Sequence, residues 1–528
     1  MKKTLFHLMP FLSSLLLWAS FFPLDMGLFA WVALVPLVVY TCREKKGWRL
    51  FLVTWLAGWV FNALAFQWLR LSAPIGPYGL AIYLGIYFAI FSLLLRTLSK
   101  WMPLGLVAPL IWIALEYLSA HLFSGLPWFL LAYTQHSLDP FIQCADLLGP
   151  WLVSGIILYF NAVVAQGVLL RLEQKVLMRD RGFRTALGVL AFLVTASGLY
   201  GKVRLSESLE EGPKIGVIQP NIKQDLKLLS EVPFQAREIY RKHREMTTRL
   251  VGKKPDLDMV VWPESVIYQG LVYDLFQKSY SEDWSRLYTM KEFSNLLDVP
   301  ILFGSEVIER KEASFANTES TNSAVLVEPG KGFTYRFDKV HLVVFSENIP
   351  ELPFVDYFTE KYTGAKRLLD FKSGEGYPLF SVAGTPAGTM ICFETVFPEI
   401  SRKIARKGGR FIVNISNEGW FKGSSELDQM LVMARFRAIE SRVGIVRGTN
   451  TGISAFVDPH GKVTDLIEGK EVEGTLASRV QISSTGSLYR SVGDLLPWLS
   501  WLFVLFSLVW MFFRKRLTGN SATSILTR

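Results

Sequence analysis

Residues 389–394 of this 528-residue chain read TMICFE, and the prediction of the fold begins there. The run has the pattern of a short apolar strand that ends on a thiol, and Pro398 and Glu399 then open a helix. A cysteine at a strand end is more often a small buried hydrophobe than a nucleophile. The run therefore predicts a strand followed by a helix, and it makes Cys392 a candidate whose role depends on other residues.

Two further strand ends carry ionisable side chains. Residues 260–265 read VVWPES, an apolar strand that stops at a proline and presents Glu264. Residues 337–342 read FDKVHL, which contains Lys339, and FSE with Glu347 follows at 345–347. Each motif alone is weak, because isolated Glu and Lys side chains are usually solvated. Only their combination is informative.

Between residues 214 and 463, short runs rich in β-branched residues alternate with amphipathic stretches. Helices are predicted at 399–407 and 430–442. The predicted strands are Lys214–Gln219, Asp258–Trp262, Pro300–Gly304, Ser323–Val327, Gly388–Cys392, Phe411–Ile415, Gly444–Arg447 and Ile453–Asp458. This alternation predicts a layered α/β domain.

Charge is distributed unevenly along the chain. Half of the residues are hydrophobic and 19% are charged, which excludes a disordered chain. Residues 1–201 contain only 14 of the 56 Lys and Arg residues and 7 of the 46 Asp and Glu residues. The positive excess belongs to the apolar parts, and the stretch 202–494 is nearly neutral, so no basic face for nucleic acid is predicted.

The first 201 residues and the C-terminal end are apolar enough to cross a bilayer repeatedly. A helix that crosses the hydrocarbon core of a bilayer needs about 20 mostly apolar residues. Only a helix suits this role here, because it forms its backbone hydrogen bonds internally and hydrocarbon offers no partners for them. The first segment could be a signal peptide, but no small-x-small cleavage pattern follows it and further apolar segments come at once. The eight predicted segments are 4–24, 26–42, 50–69, 76–95, 101–122, 148–170, 185–201 and 495–513.

Basic residues predict the orientation of these helices, because they remain on the cytoplasmic side of short loops. With the N-terminus inside, 13 of the 14 basic residues before residue 202 fall on the inner side, and only Arg70 falls outside. We therefore predict a membrane domain at 1–201, an extracytoplasmic catalytic domain at 202–494, and an eighth helix with a cytoplasmic tail at 495–528.

Two features of the membrane part do not fit a simple bundle. Glu116 lies within an apolar segment, where an ionisable side chain is costly. It is either functional or a carboxyl that hydrogen-bonds a neighbouring helix or lies near the outer interface. The aromatic-rich residues 125–151 are too interrupted for a clean span and predict an interfacial or re-entrant element.

Cysteine and histidine usage gives no support for a metal or disulfide site. Cys42, Cys144 and Cys392 lie in separate regions, the six histidines are scattered, and no CxxC or HExxH motif is present. We expect no metal and no cofactor.

Taken in order, the three strand-end motifs resemble the nitrilase superfamily, whose Glu-Lys-Cys triad lies at strand ends of an α-β-β-α sandwich. Seven helices before the polar domain and one after it narrow the resemblance to the apolipoprotein N-acyltransferases, and it covers nearly the whole chain. Further matching stretches are 219–227, 414–421, 433–440 and 449–453. The implied fold is a membrane domain of eight transmembrane helices plus an α/β nitrilase-like domain.

The resemblance implies roles for the three motif residues. Cys392 corresponds to the nucleophile, Glu264 to the general base, and Lys339 to the group that stabilises the tetrahedral intermediate. A thiol titrates near ~8.5 unless it is assisted, so a carboxylate and an ammonium supply what a Cys-His pair supplies elsewhere. The backbone N–H of Phe393 would face the developing oxyanion beside Lys339.

Supporting positions follow from the same resemblance. Glu347 would support Lys339 or the base, and Glu394 would act just beyond the nucleophile. Their alternatives are a loop carboxylate and a residue that favours a helix N-terminus, respectively. Trp420 would help to form an acyl pocket, although an aromatic after a strand is as often core. His341 is expected to be a packing residue that hydrogen-bonds.

The chain departs from the family pattern at several positions. Phe393 replaces a frequent Tyr, so any role of that hydroxyl is lost while ring packing remains. The residues Leu228, Val344, Ser346 and Met430 replace a Trp, a Pro, a Gly and a His that are common in the family. These changes concern substrate recognition rather than the triad.

The implied activity is a two-step exchange. Cys392 takes a fatty acyl chain from a phospholipid as a thioester, and the chain passes to the α-amino group of a lipoprotein's diacylglyceryl-cysteine. We expect a monomer in the bacterial inner membrane with its catalytic domain on the periplasmic side. Its partners are the bilayer, a phospholipid donor and a diacylated apolipoprotein acceptor. Because water hydrolyses thioesters, apolar loops are expected to cover the site, and 351–362 and 262–272 are the candidates. The alternative is that their apolar residues only anchor ordinary loops.

The sequence leaves three alternatives open. A membrane-tethered nitrilase-type amidohydrolase would attack a small amide or nitrile and send the acyl group to water. A transporter would use the eight helices, but no repeat relates the two halves and few ionisable residues lie in the apolar segments. An inactive lipid-binding scaffold would not need the thiol of Cys392.

Overall fold

The computed structural model describes residues 3–224, 233–274, 279–281, 288–310, 318–344, 346–348 and 371–522. The chain divides into two compact units, Met1–Glu207 with Ser491–Arg528, and Ser208–Arg490. The loop predicted at 351–362 and Leu228 lie outside the described residues. The second predicted covering loop is wrong: Trp262 is fully buried in the core, and residues from 267 onward form a strand.

The first unit is helical. Its helices are α1 (Lys3–His7), α2 (Met9–Ala19), α3 (Ala30–Ala33), α4 (Val35–Arg43), α5 (Gly47–Ala65), α6 (Gly76–Leu98), α7 (Leu104–His121), α8 (Asp139–Ile142), α9 (Ala145–Leu148), α10 (Pro150–Leu172), α11 (Arg181–Leu205) and, after the second unit, α17 (Leu495–Ala522).

Six of the described helices are long and apolar enough to cross a membrane, namely α5, α6, α7, α10, α11 and residues Leu495–Arg514 of α17. The first two predicted spans correspond to shorter apolar stretches, Leu5–Ala19 and Gly27–Arg43. Pro10 and Pro36 lie in the first turns of α2 and α4. Because proline lacks a backbone N–H, it begins a new helix and interrupts the preceding one. The count of eight crossing helices therefore stays a prediction.

Helices α5 and α6 approach closely at two glycines. A Cβ at Gly58 would lie 2.9 Å from the carbonyl oxygen of Gly85, and a Cβ at Gly85 would lie 2.9 Å from the carbonyl oxygen of Trp55. Small residues permit such an approach between helix backbones, which gains dispersion energy along the contact. The two glycines therefore determine how this helix pair packs.

An interrupted segment joins α7 to α10. It contains a 3₁₀ turn at Leu131–Gln135 and the short helices α8 and α9, in agreement with the predicted break in the spans. Oε1 of Glu116 in α7 accepts 2.8 Å hydrogen bonds from the indole Nε1 of Trp112 and the backbone N–H of Leu131. These contacts support the hydrogen-bonding alternative for Glu116, since the buried carboxylate ties the segment to α7.

The second unit is an α/β domain. Its helices are α12 (Pro233–Lys253), α13 (Tyr288–Leu297), α14 (Pro398–Arg406), α15 (Glu426–Ser441) and α16 (Leu488–Val492). Its strands are β1 (Glu210–Gln219), β2 (Met259–Val261), β3 (Ile267–Asp274), β4 (Ser279–Ser281), β5 (Ile301–Arg310), β6 (Thr318–Glu328), β7 (Gly332–Asp338), β8 (Phe380–Val382), β9 (Thr385–Ile391), β10 (Phe411–Ser416), β11 (Gly444–Thr449), β12 (Ala455–Val457), β13 (Val463–Leu466) and β14 (Gly474–Ile482).

These strands form two sheets. The first has the order β14-β1-β2-β5-β3-β4, with β6 paired to β5 and β7 paired to β6, and the second has the order β13-β12-β11-β10-β9-β8. In the second sheet β9, β10 and β11 are parallel, and Ile391 pairs with Ile415. Parallel strands end at the same edge of a sheet, so the residues that follow β9 and β10 become neighbours.

The two sheets pack face to face between layers of helices. A Cβ at Gly448 of β11 would lie 2.9 Å from Cγ1 of Val261 in β2, so the small residue allows close contact between the sheets. On the outer faces, Leu250 of α12 lies against β1 and Ile404 of α14 lies against β9. The domain is therefore the predicted α-β-β-α sandwich.

Candidate active site

The candidate nucleophile lies in a strained turn directly after β9. Cys392 opens the short 3₁₀ helix Cys392–Val396, and its φ of 50° is in the left-handed region. A residue with a Cβ pays roughly 1–2 kcal/mol in this conformation, which the surrounding structure must offset. The turn places the half-buried thiol beside the end of β10.

Glu264 follows β2, where Pro263 ends the strand. Its side chain is buried, with 7% of its surface exposed. Oε1 accepts a hydrogen bond from Nδ2 of Asn322 and Oε2 accepts one from the backbone N–H of Asn417, both at 2.8 Å. The carboxylate is thus held in one orientation.

Lys339 follows β7 and is 1% exposed. Its Nζ lies 2.9 Å from each carboxylate oxygen of Glu347 and 3.7 Å from Oε1 of Glu264. Burial alone would lower the pKa of Lys339, but the carboxylates of Glu347 and Glu264 raise it above its ordinary value. Lys339 therefore stays a cation and acts through its charge rather than as a base.

The surroundings of Cys392 keep its side chain a thiol at neutral pH. Burial raises the pKa of the Cys392 thiol, and the Glu264 carboxylate raises it further, while Lys339 and the nearby Ser416 hydroxyl lower it without reversing the rise. Because the thiolate is the nucleophilic form, a base must take the proton as the sulfur attacks. Glu264 is the candidate for this base, because its carboxylate is close enough to act electrostatically on the thiol.

Glu347 contacts Lys339 directly and is linked to Glu264 through the amide of Asn322. Besides Lys339, it accepts hydrogen bonds from Nδ2 of Asn322 at 2.8 Å and from the backbone N–H of Val343 at 2.9 Å. Burial would raise the pKa of Glu347, but the Lys339 ammonium and the hydrogen bonds hold it below its ordinary value. Glu347 is thus an ionised partner of Lys339.

Glu394 connects the turn of the nucleophile to the loop that carries Lys339. It accepts hydrogen bonds from the backbone N–H groups of Ile391, Val340 and His341 at 2.8, 2.8 and 3.1 Å. Burial raises the pKa of Glu394 to about 7, although these N–H groups and Lys339 oppose the rise. Its contacts exceed those of a residue that only favours a helix N-terminus.

The aromatic candidates lie around the turn rather than within the triad. Trp420, in the 3₁₀ helix Glu418–Phe421 after β10, is 41% exposed, which excludes the core alternative. The ring of Phe393 packs edge-on against Phe397 at 5.1 Å, so ring packing is present without a hydroxyl. The ring of His341 lies 4.1 Å from the same Phe397, consistent with a packing residue.

Sequence reasoning missed two amides that hold the site together. Asn322 in β6 donates to Glu264 and Glu347 and accepts from the backbone N–H of Lys339. Asn417 lies in a stretch that matches the family, but its backbone bond to Glu264 has no signature in sequence. The only signal for Asn322 was an amide directly before the apolar run 323–327.

Sequence comparisons bear on both units. The profile of the apolipoprotein N-acyltransferase N-terminal domain matches residues 13–163, and that of carbon-nitrogen hydrolase matches residues 214–490. The apolipoprotein N-acyltransferase of Geobacter metallireducens is 30% identical over 507 residues, covering 93% of this chain and 92% of that protein. The chain belongs to the apolipoprotein N-acyltransferase family.

One further relative matches most of the chain, and one solved structure matches about half of it. Apolipoprotein N-acyltransferase 1 of Treponema denticola is 26% identical over 519 residues, covering 92% of each chain. Among solved structures, Saccharomyces cerevisiae Nit3, a member of branch 10 of the nitrilase superfamily, aligns at 17% identity with a TM-score of 0.38, covering 55% of this chain and 97% of that one.

As a member of the apolipoprotein N-acyltransferases, the protein is an acyltransferase and a membrane enzyme. The carbon-nitrogen hydrolase domain of this acyltransferase holds the thiol, the carboxylates and the ammonium described above. Within the described part of the chain, no group of three His, Cys, Asp or Glu side chains is arranged to hold a metal ion.

Proposed function

We propose that this enzyme transfers a fatty acyl chain from a phospholipid, through a thioester on Cys392, to the α-amino group of the diacylglyceryl-cysteine of an apolipoprotein. The observation that carries the proposal is the gathering of Cys392, Glu264 and Lys339 at one set of strand ends. The name of the relatives supports the lipoprotein acceptor.

In the first half-reaction, Glu264 takes the thiol proton of Cys392 while the sulfur attacks the ester carbonyl carbon of the phospholipid. The oxyanion that forms faces the Lys339 ammonium and the backbone N–H of Phe393, and such a donor is commonly worth about 3–4 kcal/mol. Collapse of the intermediate breaks the ester C–O bond, and Glu264 returns its proton to the leaving oxygen. Lysophospholipid departs and an acyl thioester remains.

In the second half-reaction, the neutral α-amino group of the lipoprotein attacks the thioester carbonyl and Glu264 takes one of its protons. Collapse expels the sulfur of Cys392, which regains a proton from Glu264. Lys339 stays charged in both halves because two carboxylates surround it. One cation and one base thus serve both steps.

We place the catalytic domain, residues 202–494, on the periplasmic side of the bacterial inner membrane. The distribution of basic residues supports this orientation. Both proposed substrates have their tails in the bilayer and their reacting groups at its surface, so membrane helices on both sides of the domain in the sequence raise the effective concentration.

The test is incubation of purified protein with phospholipid and a diacylated lipopeptide. Wild type should form triacylated product, and Cys392→Ser, Glu264→Gln and Lys339→Ala should not. Lys372→Ala is the matched control for Lys339, because Lys372 is exposed and pairs with Glu319 at 3.0 Å. Without the lipopeptide, mass spectra should show a fatty-acyl adduct on Cys392.

Two outcomes would contradict the proposal. Triacylated product from all three variants at the wild-type rate would remove the assigned residues from the mechanism. Ammonia release from amides, with no acyl adduct on Cys392, would instead favour the amidohydrolase.

A further inference from the structure

A second chain of polar contacts approaches the nucleophile from β10. Ser416, the last residue of this strand, donates a 3.0 Å hydrogen bond from Oγ to Oε1 of Glu418. Arg447 of β11 binds the same oxygen through Nη2, and its Nη1 donates to Oδ1 of Asn414 at 2.7 Å. All four side chains are fully buried. The mechanism derived above uses none of them.

The strand register brings Ser416 to Cys392. Because β9 and β10 are parallel and Ile391 pairs with Ile415, the next residues along the two strands are neighbours. The Ser416 hydroxyl, which donates to Glu418 in this structure, lowers the pKa of the neighbouring thiol against the rise that burial causes. The other charged groups that act on the thiol are Glu264 after β2, Lys339 after β7 and Glu418 after β10.

The Ser416 hydroxyl has two acceptors but one hydrogen. A serine O–H can donate to one acceptor at a time, and rotation about the Cβ–Oγ bond selects which. A sulfur that carries negative charge attracts this donor more strongly than a neutral thiol does. Glu418 tolerates the loss of the serine hydrogen because Arg447 still binds it.

We propose that Ser416 is a further catalytic residue, whose hydroxyl donates to Glu418 while Cys392 is a thiol and turns to the sulfur while the sulfur carries negative charge. Glu418, held by Arg447, is the positioning residue that receives the hydrogen in the resting state. No covalent bond of Ser416 breaks: the thiol proton still passes to Glu264, and only the acceptor of the O–H group changes. The rotation stabilises charge on sulfur during both attack and departure.

The inference rests on the proposed function for its role in acyl transfer, but its test measures the thiol alone. Protein treated with hydroxylamine, which cleaves thioesters, is alkylated with iodoacetamide between about pH 6 and pH 10. The adduct on the Cys392 peptide is followed by mass spectrometry. The alkylation rates can therefore be interpreted even if the protein fails to transfer an acyl chain to the lipopeptide.

Ser416→Ala should slow alkylation about tenfold at each pH across this range, since it removes a hydrogen bond to a charged group and one pKa unit is a factor of ten in thiolate. Ser416→Thr keeps the hydroxyl and should stay within about twofold of wild type. The matched control is Ser401→Ala, which removes a buried hydroxyl of α14 that is 2.9 Å from Oγ of Ser441. It should leave the profile unchanged.

Thermal unfolding identifies which variants are folded. If Ser416→Ala does not fold, Ser416→Gly removes the same hydroxyl and takes its place. A wild-type alkylation profile in a folded variant without the hydroxyl overturns the proposal, and so does an equal loss in Ser401→Ala.

Discussion

Asn322 holds the two carboxylates of the site in place. Its amide nitrogen has two hydrogens, one for Glu264 and one for Glu347, each at 2.8 Å. Its backbone oxygen accepts a 2.8 Å bond from the N–H of Lys339. One neutral side chain in β6 therefore fixes the base and the partner of the cation without adding charge.

Asn322→Asp should lower kcat for acyl transfer by about 100-fold or more. The change replaces two donors by a third carboxylate around one buried ammonium, and each lost bond to a charged group is worth about 1.5–3 kcal/mol. Asn295→Asp is the control, because Oδ1 of Asn295 accepts a bond from Gly330 N–H and an aspartate keeps that acceptor. Similar kcat values for the two variants would show that the amide does not position the site.

The left-handed φ of Cys392 predicts a difference between two inactive variants. Glycine adopts this conformation without the Cβ penalty, whereas alanine pays it. Cys392→Gly should therefore be more stable than Cys392→Ala by about 1 kcal/mol. Thermal unfolding of both in the same detergent measures the difference, and an equal or higher Tm for the alanine variant would mean that the turn is unstrained.

Glu394 predicts a pH dependence of stability. Its pKa in the folded protein is about 7, above its ordinary value of 4.5. Between these values the folded protein keeps a proton that the unfolded chain has released, so the contribution is complete below pH 4.5 and disappears as pH rises through 7. Over this pH range the free energy of unfolding should fall by roughly 3 kcal/mol at most.

Comparison with Glu394→Gln isolates this contribution. Unfolding of both proteins at about pH 5 and pH 8 should show a larger loss of stability for wild type. The neutral glutamine does not titrate, so other groups contribute equally to both slopes. Parallel slopes would mean that Glu394 is already ionised at pH 5.

The sequence identified those site residues that mark strand ends. An apolar run in the sequence ends at or next to each of the triad residues, Cys392, Glu264 and Lys339. Such a run can be recognised from sequence alone. Asn322 and Asn417 bond to Glu264 across 58 and 153 residues of chain, respectively. Because one acts from mid-strand and the other through its backbone, no local pattern marks either one. Ser416 is found only through the register of β9 and β10.

Among the helices and strands, those buried in the core could be predicted from the sequence, and the exposed ones could not. All eight predicted strands are present, because the short apolar runs that predicted them are buried in the core. Strand β5 extends to Arg310, beyond the predicted end, because its second half pairs with both β3 and β6. Strand β13 is largely exposed and α12 is rich in charged residues, so neither has the hydrophobic signal that marks a core element.

The contact of α5 with α6 predicts the effect of a single side chain. Gly85→Leu places a side chain where a Cβ alone would lie 2.9 Å from backbone, so the helices must separate and stability should fall by about 1–3 kcal/mol. A Cβ at Gly79 on the same helix would meet no atom within 4 Å, so Gly79→Leu should be nearly neutral. A difference in Tm between the two variants in one detergent is the measurement, and equal values would refute close packing at Gly85.

At the scale of the whole molecule, the two units are built for different solvents. Only 11% of the apolar window of α11 and 22% of that of α17 are buried within the protein, against 67% for α7. Side chains such as Phe192 and Phe506 are about 70% exposed. Apolar surface of this extent is stable only against hydrocarbon, so α11 and α17 face lipid and α7 lies inside the bundle.

Orientation is the remaining property of the whole molecule, and single cysteines test it. Lys46→Cys lies between α4 and α5, and Lys372→Cys lies in the α/β unit; both lysines are exposed. Basic loops stay in the cytoplasm, so a membrane-impermeant maleimide should label Lys372→Cys in spheroplasts and Lys46→Cys only after permeabilisation. Wild type measures the background from its three native cysteines. The reverse pattern would move the α/β unit to the cytoplasm, where a periplasmic acceptor could not reach Cys392, although the chemistry of the triad would be unchanged.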